Sequence, residues 1–443
     1  MNNTIKYMNN RLDTCRGRLV ILDSYWYGEQ ALSYLSADIK DAVKQKLHTL
    51  PINYPRLAVT ALAERLTING FKAGSEEDPD SRVWDAWKAN AMQAGAEQSI
   101  IDALVYGRSY IAVWADSFGQ PVISVESARQ MTVIQDPLTG EVKAAWKRTI
   151  SQGKAVGYLY TADAIVKYTH PMENASENNL PEDGWVASGE PIPNPLGVVP
   201  VVPIINQTRL LDVDGVSEMK DVMDLADALN KLMADMMTTS EYYARPRRWA
   251  TGLEIDEDEN GKPVKPFSVE KEDLWTSESP DTKFGEFKAS SLAGYTEAAD
   301  ALIQQIGAMA GLPPHYLGIS GDQPPSADSI RSAEASLVSR AYNKQRLFGP
   351  RFARVAALVR AILTGEDVRT IRMQTLWASP ETRTQGQSTD AASKLVGVGV
   401  PLEVALEKEL GYTPSEIDKV RVARRVEALD QAGVEWMTGA QNG

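Results

Sequence analysis

Catalysis or metal binding needs a nucleophile, a ligand cluster or a poised acid–base pair, and the residues that supply these are sparse here. The 443 residues hold three histidines, His48, His170 and His315, and one cysteine, Cys15. No histidine has a second His or a Cys at metal-ligand spacing, so no zinc site is expected. The phosphate-binding P-loop, the dinucleotide-binding glycine fingerprint and the serine nucleophile elbow are all missing from the sequence. The run Asp256-Glu257-Asp258-Glu259-Asn260-Gly261 copies the first half of a calcium loop. Its twelfth position should be Glu and is Phe267, and Pro263 and Pro266 block the helix that should follow, so the run reads as a solvated acidic turn. Asp102 and Asp116 are carboxylates an enzyme could use, but nothing accompanies them as nucleophile or metal. Arg340, Lys344, Arg351 and Arg354 fall at i, i+4, i+11 and i+14, a basic stripe on one helix face. Such a stripe is a solvated face, a set of ion pairs, or a contact with DNA phosphate or a neighbouring subunit. No cofactor is expected.

The totals bound the function classes. Lys and Arg number 46 against 59 Asp and Glu, a net charge of −13, whereas a sequence-reading nucleic-acid binder carries a basic surplus. DNA could still be met by a local basic stripe, or handled by an acidic wall that repels phosphate. One cysteine allows no internal disulfide, which suits a reducing cytoplasm. No apolar run approaches a membrane span, and MNNTIKYMNN lacks an apolar core behind a basic head, so neither membrane nor export is expected.

The elements that would position these residues follow from periodicity. Residues 4–36 read as a helix carrying Leu12, Leu19, Leu22, Tyr25 and Trp26, interrupted at Gly28. Helices follow at 55–66, around Trp84, Trp87 and Met92, and at 96–106, stopping near Gly107. From Tyr110 the period changes to two, and segments near 110–114, 122–125, 131–134 and 142–149 between turn signals read as an antiparallel meander. Residues 172–197 read as irregular, and 198–205, with Pro200 and Pro203, as an edge strand. A long helix rich in Met follows Val216, and another carries Leu292 to Met309. A third, with Ser326 as N-cap, should kink at Gly349-Pro350. A strand-like 369–377 and a helical tail close the chain.

The order of short motifs resembles a known family. Tyr25-Trp26-Tyr27-Gly28, Asn69-Gly70-Phe71, Ala103 to Tyr110 with Trp114-Ala115-Asp116, and Asp136-Pro137 come first. Pro200 to Asn206, Asp227-Ala228-Leu229-Asn230, Ala244-Arg245-Pro246 and Gly311 to Gly318 follow. Together they resemble the portal, or head-to-tail connector, proteins of tailed bacteriophages, in the branch found in long-tailed phages of actinobacteria.

The resemblance implies an α+β, portal-like fold with long stem helices, a kinked tunnel helix, an antiparallel β/α wing, a small clip and a ring oligomer. Its parts would be a wing at 1–212, a stem helix at 213–244, a clip at 245–290 and a second stem helix at 291–317. A tunnel loop at 318–326, a tunnel helix at 327–364, a wing return strand at 365–380 and a crown at 381–443 would complete it. It implies twelve copies at one capsid vertex of the virion, assembled in the host cytoplasm, with double-stranded DNA passing through for packaging and ejection. The implied partners are the terminase large subunit, the head-tail adaptor, and the major capsid and scaffolding proteins. Ile319, Ser320, Gly321, Asp322, Gln323, Pro324 and Pro325 would line the channel, with Asp322 their only charge. Trp249, Glu254, Asp256, Asp258, Phe267 and Trp275 would form the clip's partner surface. Arg340 and Lys344 would pair with a neighbouring subunit rather than with DNA. Another minor head protein, which would form no closed ring, and an intracellular enzyme using Asp102 or Asp116 are the alternatives.

Overall fold

The computed structural model describes residues 2–31, 52–74, 76, 78–177, 179–243, 248–252, 280–286, 291–319, 326–381, 385–412 and 414–439. The chain divides into two compact units. The first holds residues 1–31, 53–226 and 305–443; the second holds 32–52 and 227–304.

In chain order the elements are α1 (Asn2–Tyr27), α2 (Tyr54–Ala63), β1 (Ile68–Ala73), α3 (Ser81–Ala89) and α4 (Met92–Tyr106). Next come β2 (Arg108–Ala115), β3 (Pro121–Ser127), β4 (Met131–Gln135), β5 (Val142–Ser151), β6 (Lys154–Tyr160) and β7 (Ala164–Thr169). The two-residue strands β8 (Val186–Ala187) and β9 (Ile192–Pro193) precede β10 (Val201–Ile205) and α5 (Lys220–Tyr243). Then follow β11 (Arg248–Thr251), β12 (Lys283–Glu286), α6 (Ala293–Ala310), α7 (Ala327–Thr364) and β13 (Met373–Trp377). Helices α8 (Gln385–Gly397), α9 (Leu402–Leu410) and α10 (Pro414–Gly439) end the chain.

In the first unit the antiparallel segment is two sheets, not one meander. β10, β2 and β3 form one, and β4 to β8 run in order through the other, with β9 beside β7. α1 lies on the second sheet through Ile5, Met8 and Leu12, which pack with Trp146, Leu159, Tyr168 and Trp185. β6 can pass under the Trp146 ring because residue 157 is Gly; a Cβ there would lie 2.2 Å from the indole. β10 is an edge strand, as its Pro203, opposite Tyr110, requires.

β1 and β13 pair antiparallel although some three hundred residues separate them. Aromatic packing holds them: Trp87 of α3 meets Phe71 of β1 at 4.9 Å between ring centroids, and Phe352 of α7 meets Trp377 of β13 at 5.9 Å. Trp87 and Phe352 also touch, edge to face, which closes the cluster. α7 runs unbroken through Gly349-Pro350. The Gly349 carbonyl also accepts from Thr375 Oγ1 at 2.8 Å, which ties this turn of the helix to β13.

In the second unit the remainder of α5 carries Leu232, Met233 and Met236 half-buried and Met237 exposed. Thr239 and Tyr295 join α5 to α6 by a hydroxyl–hydroxyl bond of 3.1 Å. β11 and β12 pair antiparallel, with the Trp249 ring lying over Gly285.

Three expectations need correction. The first helix ends at Tyr27, where Gly28 takes φ 72°, a conformation its lack of a Cβ permits. Trp84 and Trp87 belong to α3, but Met92 opens α4, because Asn90-Ala91 breaks the run. β1, β6 and β7 were not expected as strands.

Candidate functional site

The base of the loop between α6 and α7 is built from both helices. α6 ends at Gly311, φ 67°, and the Arg340 guanidinium donates to the Met309 carbonyl at 2.7 Å. A cation at the carboxyl end of a helix complements its dipole. Leu317, on a 3-10 turn at Pro314–Leu317, sits against Gly307; a Cβ there would lie 2.3 Å from its methyl. The turn is anchored by Arg65, which donates to the Tyr316 hydroxyl at 3.3 Å and pairs with Glu334 at 3.1 Å. His315 lies 3.5 Å from the same carboxylate. On the far side Ser326 Oγ accepts from Ser329 N at 3.2 Å, as an N-cap should. Ile319 is half-buried and its N–H donates to Pro314 O. Ser320, Gly321, Asp322, Gln323, Pro324 and Pro325 lie outside the described residues. Both ends of the loop are therefore fixed to packed helices.

The basic stripe is real as spacing but not as one exposed face. Lys344 is buried and donates to Asn206 Oδ1 at 2.7 Å and Glu218 Oε1 at 2.5 Å. Arg340 is bound to Met309 as above. Within one chain both groups therefore already have partners. Spacing sets which residues share a face, not what that face packs against, and α7 packs on β10, β2 and β13. Arg354 donates to Val368 O at 3.2 Å, while Arg351 makes no hydrogen bond or ion pair among the described residues.

Lys344 completes a knot where the first unit leads into α5. Gly107 (φ 90°) and Gly215 (φ 73°) cross backbone on backbone; a Cβ on Gly215 would lie 1.9 Å from Gly107 O. Asn206 ties the crossing together, donating to Val216 O at 2.7 Å and to Glu218 at 2.8 Å. Beside it Asp214 pairs with Arg108 at 2.6 Å and Arg11 at 2.5 Å. Partial burial opposes ionisation of Asp214, yet the two guanidinium groups hold its carboxyl below the ordinary range.

The carboxylates of the enzyme alternative have structural places. Asp116 accepts from Phe118 N and Gln120 N, both at 2.8 Å, and so fixes the β2–β3 turn. Burial pushes the Asp102 carboxyl up, against a hydrogen bond with Ser127. Among the described residues no group of three or more His, Cys, Asp or Glu side chains is placed to hold a metal ion. No described helix is long and apolar enough to cross a membrane. Of the clip residues Trp249 is 37% exposed, and Glu254, Asp256, Asp258, Phe267 and Trp275 lie outside the described residues. The sequence reading missed Arg65, Glu334 and Asn206, whose roles arise from contacts across long sequence separations.

The family model for phage portal proteins, SPP1 Gp6-like, matches residues 5–425. The portal protein of Mycobacterium phage L5 is 32% identical over 423 residues, covering 90% of this chain and 83% of that protein. The portal protein of Mycobacterium phage D29 is 32% identical over 396 residues, covering 84% and 78%. Among solved structures, the neck of an empty GTA particle computed with C6 symmetry is similar over 84% of this chain and 92% of that one, at 14% identity and a TM-score of 0.47. The family-model match takes in both sheets of the first unit and the long helices α5, α6 and α7, and on this ground, with the two mycobacteriophage relatives, the chain belongs to the phage portal protein family, SPP1 Gp6-like.

Proposed function

We propose that this chain assembles with copies of itself into a ring, twelve in number, at one vertex of a phage capsid, and that double-stranded DNA enters and leaves through the ring. The observation that carries the reading is the family match, which spans α5, α6, α7 and the loop between the last two. The physical arrangement supports it. A closed ring needs a head-to-tail interface on each copy, and α5 keeps Leu232, Met233, Met236 and Met237 partly uncovered within one chain. The segment Ile319–Pro325 joins two anchored helices and carries one charge, Asp322, so in this reading it touches a duplex without holding it. Duplex DNA carries one negative charge per about 1.7 Å, and a chain of net charge −13 repels it along most of a channel wall.

In this reading the chain catalyses nothing; a terminase docks on the segment 245–290 and hydrolyses ATP, and the head-tail adaptor later occupies the same end. Trp249 is the anchor of that surface within the described residues. Capsid and scaffolding proteins meet the wing, and the virion is the final location. The test is complementation of a phage lacking its portal with a chain deleted for Ser320–Gln323. Full-length rings with reduced packaged DNA are expected; normal packaging and retention would remove the loop from the mechanism.

A further inference from the structure

Leu210 and Leu211, between β10 and α5, are 92% and 89% exposed, and Val213 beside them is exposed too. Single exposed apolar residues are ordinary on a protein surface, whereas a contiguous exposed group marks an interaction site. The loop that carries these residues is ordered by its own polar groups. Val216 N–H donates to the Asn206 carbonyl at 3.0 Å and closes the base. Within the loop Gln207 Nε2 donates to the Leu210 carbonyl at 3.0 Å and Thr208 Oγ1 to Asp212 at 3.3 Å. Asp212 N–H donates to the Arg209 carbonyl at 3.1 Å. The polar groups bond to one another while the leucines face water, so the tip is preformed and little ordering remains for a partner to impose.

A depression of matching character lies on α7. Ala335, Val338 and Tyr342 line one groove of about 420 Å³. Tyr342, Pro350 and Ala353, with Trp377 of β13, line a second of about 670 Å³, and Tyr342 and Arg346 border both. Each volume falls in the range of roughly 300–1,000 Å³ found for pockets that seat a ligand.

The two features lie on opposite sides of one helix. Lys344 of α7 bonds to Asn206 and Glu218, at the two roots of the loop. At about 100° per residue, Ala335, Tyr342, Arg346 and Ala353 lie about 160–180° around α7 from Lys344. A chain with an apolar protrusion rooted on one side and an apolar groove on the other can join its copies head to tail, which is the interface a ring needs. The charges agree with such a contact. Arg209 and Asp212 flank the leucines, and Arg331, Arg346 and Glu381 rim the groove, so each side offers both signs to the other.

We propose that Leu210 and Leu211 of one copy seat in the α7–β13 groove, beside Tyr342, of the next copy. The proposal deepens the ring reading and rests on it, naming a contact in the first unit that is separate from the methionines of α5.

The test uses the full chain. L210Q/L211Q removes the apolar tip at exposed positions. It should keep the melting temperature of the unassembled chain and raise the concentration needed for ring assembly by about tenfold or more. L138Q removes an equally exposed leucine from the β4–β5 turn and should leave assembly unchanged. Oxidation of L211C/A335C, in a chain carrying Cys15→Ser, reads the contact directly. Head-to-tail seating gives a ladder of covalent oligomers on a denaturing gel, and L138C/A335C in the same background stays monomeric. Rings of L210Q/L211Q forming at the concentration of the unmodified chain would overturn the proposal and leave the ring reading standing. So would an L211C/A335C chain that forms rings and gives no ladder. A ladder that stops at the dimer would also overturn it, since it marks a two-fold contact. Absence of rings in the unmodified chain would overturn the ring reading and this proposal with it.

Discussion

Gly107 and Gly215 meet with no room for a side chain on either, and both take left-handed backbone angles. Gly215→Ala combines strain with a collision against Gly107 O and should destabilise the first unit by at least about 2 kcal/mol, read by urea unfolding. Gly107 was legible as a helix stop; its partner was not, because close approach is a property of the folded chain. Lys344 makes the same point. The sequence marks it as one of a basic stripe, and the fold buries it against Glu218 and Asn206. Lys344→Ala should therefore cost about 3 kcal/mol of stability by leaving the half-buried Glu218 without its cation. A surface residue used only between subunits would cost almost nothing in a monomer assay. Asp214 gives a pH signature. Its folded pKa lies below the unfolded value near 3.8, so its contribution is present above about pH 4 and lost as pH falls through the lower folded value. Asp214→Asn should flatten the dependence of unfolding free energy on pH in that acid range, and an unchanged slope would contradict the ion-pair account.

At the scale of elements the long helices were the most legible part, because apolar positions at i, i+3, i+4 and i+7 persist over many turns. α7 was read with its N-cap, Ser326, and its end near residue 364, and the helix continues through Pro350, beside the turn that Thr375 of β13 ties down at Gly349. The strands missed were those whose faces do not alternate cleanly. β6 is buried at Ala155, Val156 and Gly157 in succession, so no period of two shows. Its signal was the turn before it, where Gln152 and Gly153 both take positive φ in a two-residue hairpin. β1 was masked by Asn69-Gly70, a turn signal that here lies at an irregularity in the strand, between Ile68 and Gly70. α5 carries the prediction at this scale. Met236→Glu and Met237→Glu change one half-buried and one exposed group in a single copy. Met237→Glu alone should leave the stability of the monomer within about 0.5 kcal/mol, since exposed substitutions away from packed features cost little. Both changes should abolish assembly by sedimentation. A variant that unfolds would show instead that these methionines pack inside the chain.

For the whole molecule the central claim is that one chain of net charge −13 closes with its copies around a channel. The family could be read from motif order alone, from Tyr25-Trp26-Tyr27-Gly28 to Gly311-Leu312-Pro313-Pro314-His315-Tyr316-Leu317-Gly318, since these short runs mark places where the fold turns. The knot at Gly107 and Gly215 and the anchored base at Arg65, Glu334 and Leu317 show two of these runs at work in the fold. Copy number could not be read this way, because it depends on the angle between neighbouring copies, which no single chain displays. Electron microscopy of the purified full-length protein tests the claim directly. The account predicts closed rings with a central opening, twelvefold in projection; a population of monomers or open filaments at micromolar concentration would contradict it.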